Sequence, residues 1–335
     1  MRKISFILAL VFLLLALPSC STKLEPAPES PAPVQTEEEL NGAQKPAQKK
    51  TEEEKPAEEE EQAIMQEYDP AEDDVINVLM IGNSFCYYYV EELYGVAKAA
   101  GVNMKVCNVY YSGCKLNQHW TWWKNNESNY HYFETDENGR NKYANYSLRK
   151  CLAQENWDVI SFQQSSAMVR TTLEDAKNNS YKYLEDLLEY TRTQFPQSKF
   201  YWHHTWSYQV GYDRSGFVVD TVEKQTAMTN LIHDFAIELC RDFELTRIPS
   251  GDAWSYARKD SRVGDVLCNR GDKSDNYHDG DEGGGQYLNA CVWFETITGQ
   301  SCIGNTWRPN DYSLSEAKIA ALQQAAHRAV AEARG

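Results

Sequence analysis

Short apolar runs rich in β-branched residues recur along the chain: VINVLMI (75–81), MKVCNVY (104–110), WDVISFQ (157–163), KFYWHHT (199–205) and a weaker LTRIP (245–249). Segments with helical periodicity separate them at 87–100, 143–154, 179–195 and 222–241, and two more follow at 285–297 and 314–333. This alternation constrains the fold more than any other feature. Parallel strands need long crossovers, and the crossover helices cover both faces of the sheet. The expected class is α/β, a three-layer α/β/α sandwich around a central parallel sheet of about five strands, flavodoxin-like in arrangement. Ligands of such sheets bind beyond the carboxyl ends of the strands. The first run ends at that edge, in Gly82-Asn83-Ser84.

The N-terminal part of the chain reads differently. Arg2 and Lys3 precede the apolar run ISFILALVFLLLALP, which has the length of a signal-peptide core and is short for a membrane span. It stops at LPSC, where small residues leading into Cys20 match a lipoprotein processing site, with Cys20 as the lipidated residue. An ordinary secretory signal and an uncleaved anchor helix are the alternatives, and all three readings export the chain. The expectation is a membrane-anchored lipoprotein of the bacterial envelope, at the outer membrane before the inner. Residues 21–74 hold 17 acidic residues against 5 lysines and almost no aromatics, which reads as a solvated acidic tether.

The whole chain carries a formal charge of −16, of which residues 75–335 hold only about −6. That mild balance does not favour a polyanion-binding surface, so no nucleic-acid partner is expected. These 261 residues suffice for one large domain. Its eight cysteines are irregularly spaced without a CxxC pair, so no zinc ribbon is expected. Some could pair after export, Cys268 with Cys302 being one option; oligomeric state is not legible.

Ser84 has an ordinary explanation as a helix cap after a Gly-Asn turn. Its company suggests another. In GDKSDNYHDGDEGGGQYLNACVWFETITG (271–299), Asp275 stands three residues before His278 in a polar loop just upstream of a helix. At that spacing a carboxylate can hold imidazole Nδ1 and turn Nε2 toward a nucleophile.

Taken together, these blocks resemble the SGNH hydrolase superfamily, the GDSL-like esterases and acylhydrolases, over roughly residues 75–330. Ser84 in IGNSF matches the nucleophile, with Asn83 departing from the commoner GDS spelling. DNYH matches the last block, DxxH, and assigns acid and base to Asp275 and His278. Gly113 in YYSGCKL matches the glycine that helps form the oxyanion hole. The third block, usually GxND, is replaced by VISFQQSS. Gln163 is the candidate oxyanion donor there and Gln164 the alternate, since adjacent strand residues point oppositely. The spellings resemble a divergent subgroup among bacterial lipoproteins, whose better-understood relatives include carbohydrate O-acetyl esterases.

The resemblance implies a serine esterase acting by two-step acyl transfer, with no metal and no organic cofactor, on an acylated small molecule or glycan. Aromatic stretches at 117–133 and 201–208 supply Trp120, His204 and Trp206 as candidate substrate contacts, or else a satellite core. His203 and His204 occupy adjacent strand positions facing opposite ways, without a short-range carboxylate, and do not read as metal ligands. Two other function classes stay open: a non-catalytic glycan-binding lipoprotein, and a hydrolase using Cys86 or a metal at HDGDE.

Overall fold

A computed structural model of the chain describes residues 75–271 and 273–335. Cys20 and the 21–74 segment lie outside the described residues.

Seven strands form the central sheet: β1 (Val75–Gly82), β2 (Asn103–Tyr110), β3 (Tyr130–Asp136), β4 (Gly139–Tyr146), β5 (Val159–Phe162), β6 (Lys199–His203) and β9 (Thr246–Ile248). Between the last two, β7 (Tyr212–Arg214) and β8 (Phe217–Val219) pair as a small hairpin. The sheet order is β4-β3-β2-β1-β5-β6-β9. Five strands run parallel in the order 2-1-5-6-9, and β3 and β4 add antiparallel at the β2 edge. The five parallel strands are those expected from the sequence. Val78 to Ile81 of β1 are at most 1% exposed, as a central strand covered on both faces must be.

The helices are α1 (Val90–Ala99), α2 (Leu116–Asn125), α3 (Leu148–Leu152), α4 (Leu173–Asn178), α5 (Tyr181–Gln194), α6 (Val222–Asp242), α7 (Ser250–Lys259), α8 (Gly285–Thr298) and α9 (Glu316–Arg334). Helix α8 packs against α1, α7 and α9, while α2 packs on α5. Because α8 is enclosed in this way, every residue from Gly285 to Glu295 is buried, and the helix is not amphipathic. Side-chain caps set several starts: Thr221 accepts from Lys224 N before α6, and Ser315 from Lys318 N before α9.

The β3–β4 hairpin corrects the expectation of a helix over 143–154. Residues 143–146 belong to β4, where Tyr146 stacks on Tyr132 across the pair at 5.5 Å and Tyr143 lies 6.0 Å from Tyr132. The helix starts only after Ser147, whose side chain caps Lys150 N. The sheet is therefore seven-stranded and mostly parallel, wider than the expected five. The strand order reverses at β1, whose parallel neighbours β2 and β5 lie on its opposite sides. This switch point lies at the carboxyl ends of β1 and β5.

Candidate active site

At the end of β1, Asn83 caps a single 3₁₀ turn, Ser84–Cys86, by accepting from Phe85 N at 3.0 Å. The turn holds Ser84, 7% exposed, beside the loop that precedes α8. Ser84 Oγ lies 2.7 Å from His278 Nε2, and His278 Nδ1 lies 2.6 Å from Asp275 Oδ2. The other carboxylate oxygen of Asp275 accepts the backbone N–H groups of His278 at 2.9 Å and Tyr277 at 3.1 Å. Three residues assigned from two distant motifs thus form one hydrogen-bonded chain.

The electrostatics favour a neutral imidazole beside a charged carboxylate. Burial pushes the Asp275 carboxyl up, but the His278 side chain and the two backbone donors outweigh it and bring the group down to about 2. Burial holds His278 below its usual value, and Asp275 opposes that shift.

The imidazole rests in an aromatic bed. Tyr277 and Tyr88 pack on it with ring centroids 3.9 and 5.2 Å away, and Phe85 lies 5.8 Å off. Beneath them Trp206 donates its indole N–H to the Tyr277 carbonyl at 2.8 Å and stacks on Trp254 at 4.4 Å. Trp206 is 0% exposed, so its expected role as a substrate wall is corrected: it supports the His278 loop from below. Trp206→Phe should keep the stack but lose the N–H bond, costing about 1 kcal/mol in urea unfolding. Trp206→Ala should cost about 3–5 kcal/mol, and equal stability of the two variants would remove the stack from the account.

The other expected contacts are corrected in the same way. His204 is 1% exposed, its Nδ1 facing Arg247 at 3.0 Å. Helix α7 brings it the carboxylate that the local sequence lacks, Asp252, which also pairs with His233 of α6 at 2.7 Å. The ligand atoms of His204, His233 and Asp252 lie within 4.8 Å of one another, but Arg247 already pairs with Asp252 and contacts His204. That guanidinium already sets a positive charge against two of the three groups. His203 bonds Ser250 Oγ at 3.1 Å on the other side of the strand. Trp120 is half-buried, donates to Asp186 of α5 and carries Lys124 over its ring at 4.0 Å, so it belongs to a satellite packing of α2 on α5.

Around Ser84, Gln163 stands at the end of β5, 2% exposed, and donates its amide to Asn83 Oδ1 at 2.6 Å. Gly82 permits this approach, since a Cβ there would lie 2.6 Å from Gln163 Cγ. Gln164 points elsewhere, donating to the Asn179 carbonyl at 3.3 Å. Gly113 occupies an exposed turn at φ +65°, and the next residue, Cys114, accepts from Asn83 Nδ2 at 2.7 Å. Asn83 therefore ties the Ser84 turn to both the Gly113 turn and β5. Cys86 is buried and its thiol is pushed up to about 12, far from the thiolate a nucleophile needs. All eight cysteines in the described residues are free, Cys268 and Cys302 among them.

Sequence reasoning missed Asp279 and Arg270. Asp279 is fully buried beside His278 and is raised by burial to about 7, with Asn289 of α8 donating to it at 3.2 Å. Arg270 donates to the Asp279 carbonyl at 3.2 Å and lies 3.9 Å over Tyr88. The HDGDE stretch gave a signal for Asp279, but no local pattern marked Arg270.

With this geometry in hand, residues 77–329 match a family described as Domain of unknown function (DUF4886). The chain belongs to the DUF4886 family. A crystal structure of a DUF4886 family protein from Bacteroides uniformis is similar at 31% identity and TM-score 0.68, over 77% of this chain and 95% of that one. Two other solved structures match at TM-score 0.43. One, from Parabacteroides merdae, is assigned to the GDSL-like lipases, with 18% identity over 67% of this chain and 95% of that one. The other, from Slackia heliotrinireducens, is assigned to the SGNH hydrolases, with 19% identity over 67% and 99%. No curated protein matches the chain.

Proposed function

We propose that this DUF4886 protein is a serine esterase of the SGNH type that hydrolyses O-acyl esters, O-acetyl groups on carbohydrate first among them. The observation that carries the reading is the unbroken chain from Asp275 through His278 to Ser84 Oγ, at the switch point where such sheets bind ligands. His278 takes the Ser84 proton as Oγ attacks the ester carbonyl, and Asp275 stabilises the imidazolium that forms. The tetrahedral intermediate collapses, the alcohol leaves with the proton from His278, and water activated by the same base releases the acid. Backbone N–H groups of Ser84 and Gly113 are the proposed oxyanion donors, with the second amide hydrogen of Gln163 as a third. Residues 1–20 extend the proposal to an exported, lipid-anchored enzyme.

Stoichiometric labelling of Ser84 by an alkyl fluorophosphonate, read by peptide mass, tests the reading without knowledge of the natural ester. Labelling that survives His278→Ala at the wild-type rate would refute it. The pH profile is a second test. His278 acts in its neutral form, and its proton affinity is lowered in the folded protein by burial. Activity should therefore be level through neutrality and fall only on the acid side, with a midpoint below 6.5. A midpoint above 7 in kcat/KM would contradict this assignment of the base.

A further inference from the structure

Two arginines, Arg170 and Arg214, have no ion pair or hydrogen bond among the described residues, and each lies over an aromatic ring, Phe217 and Tyr277 respectively. Arg214 closes β7 at a two-residue turn, Ser215 and Gly216, where both φ values are positive (54° and 71°), a geometry that fixes the hairpin register. Its guanidinium lies 5.2 Å over Tyr277, and Tyr277 packs 3.9 Å from His278. Arg170, just past the 3₁₀ turn Ser166–Met168 that follows β5, lies 4.8 Å over Phe217 of β8. Burial raises the Tyr212 hydroxyl, and the charges of both arginines oppose that rise. Tyr212 in turn lies 5.8 Å from Tyr277 and 6.3 Å from Phe217, making one continuous aromatic floor.

Several other arginines of the domain find carboxylates, Arg247 with Asp252, Arg258 with Asp265, Arg262 with Asp260 and Arg308 with Glu316, and Arg192, Arg270 and Arg334 find backbone carbonyls. Acids outnumber bases in residues 75–335, so Arg170 and Arg214 do not lack partners through any shortage. A guanidinium stacked by its face keeps its N–H edge free and oriented, and that edge matches the planar fork of a carboxylate.

We propose that Arg170 and Arg214 form a carboxylate-binding subsite beside the Ser84 and His278 cleft, and that the substrate is an acylated glycan bearing uronate residues. The inference rests on the esterase reading for its chemistry but not for its binding. A uronate places a carboxylate and esterified hydroxyls on one sugar ring, so both can be engaged together. The acyl transfer itself is unchanged, since the arginines hold the substrate's charge and take no proton.

The test uses the full chain as wild type, the double variant Arg170→Gln/Arg214→Gln and Arg214→Lys. Calorimetry with trigalacturonate, which carries no ester, is compared with xylotriose. Wild type should bind the uronate trimer at least about tenfold more tightly, the scale of charge-assisted hydrogen bonding to one half-buried and one exposed arginine, and added salt should narrow the gap. The double variant should lose that preference, with Arg214→Lys between the two. On acetylated oligomers, the ratio of kcat/KM for galacturonate over xylose substrates should fall at least about tenfold, through KM. Equal binding of the two trimers by wild type, or an equal loss of both substrates in the double variant, would overturn the subsite. Tighter binding of a sulfated trisaccharide than of trigalacturonate would overturn the carboxylate assignment. Uronate binding that is lost in the double variant, in a protein that cleaves no acetyl ester, would support the subsite and refute the esterase.

Discussion

Ser84→Ala is expected to lower kcat for a chromogenic acetyl ester by about 10⁴-fold or more, the scale seen when a triad nucleophile is removed, with little change in unfolding midpoint. The stability half follows from the site. Ser84 is small and only 7% exposed, and its hydroxyl hydrogen-bonds only His278 among the described residues. The turn itself is held by Asn83, which the substitution leaves in place. Because Ser84 and His278 act as a unit, adding His278→Ala to Ser84→Ala should lower activity little further. Hydrolysis within tenfold of wild type in Ser84→Ala would sink the esterase reading. A further large drop in the double variant would show that His278 works through some other group.

Much of this site could be read from the sequence because its parts are local. Asp275 and His278 are one turn apart, so the carboxylate can reach both the imidazole and two backbone N–H groups without help from elsewhere. Ser84 follows a strand whose burial on both faces is written in its apolar run. The parallel order emerged for the same reason, since each strand and helix carries its own periodicity. Long-range packing was not legible. Trp206, His204 and Trp120 looked like wall residues by composition, yet Trp206 lies under a loop more than seventy residues away and His204 against an α7 carboxylate. The β3–β4 hairpin hid behind a sequence whose tyrosines suit either a strand or a helix face, and only their cross-strand stacking decides. Arg170 meets Phe217 and Arg214 meets Tyr277 only because of the hairpin that folds between β6 and α6.

The second large effect is expected at Asn83, and it bears on why this chain spells IGNSF where the pattern it resembles more often has GDS. Asn83 uses both ends of its amide. Oδ1 accepts from Phe85 N at 3.0 Å and Gln163 at 2.6 Å, while Nδ2 donates to the Cys114 carbonyl at 2.7 Å. An aspartate could make the first two bonds, but it would set a carboxylate oxygen against the Cys114 carbonyl. Asn83→Ala strands three buried polar groups and should cost about 3 kcal/mol in urea unfolding. It should also lower kcat about 10²-fold, because the turn that aims Ser84 loses its ties to β5 and to the Gly113 turn. Asn83→Asp keeps both accepting bonds but sets a buried carboxylate against the Cys114 carbonyl, so it should also destabilise, by a loss that shrinks as the pH is lowered and the carboxyl is protonated. A loss that does not change with pH would mean that no charged carboxylate is held against that carbonyl. Gln163→Ala separates positioning from oxyanion donation. A fall in kcat with unchanged stability would assign its second amide hydrogen to the oxyanion, whereas a joint fall tracking Asn83→Ala would make it a brace for the nucleophile turn.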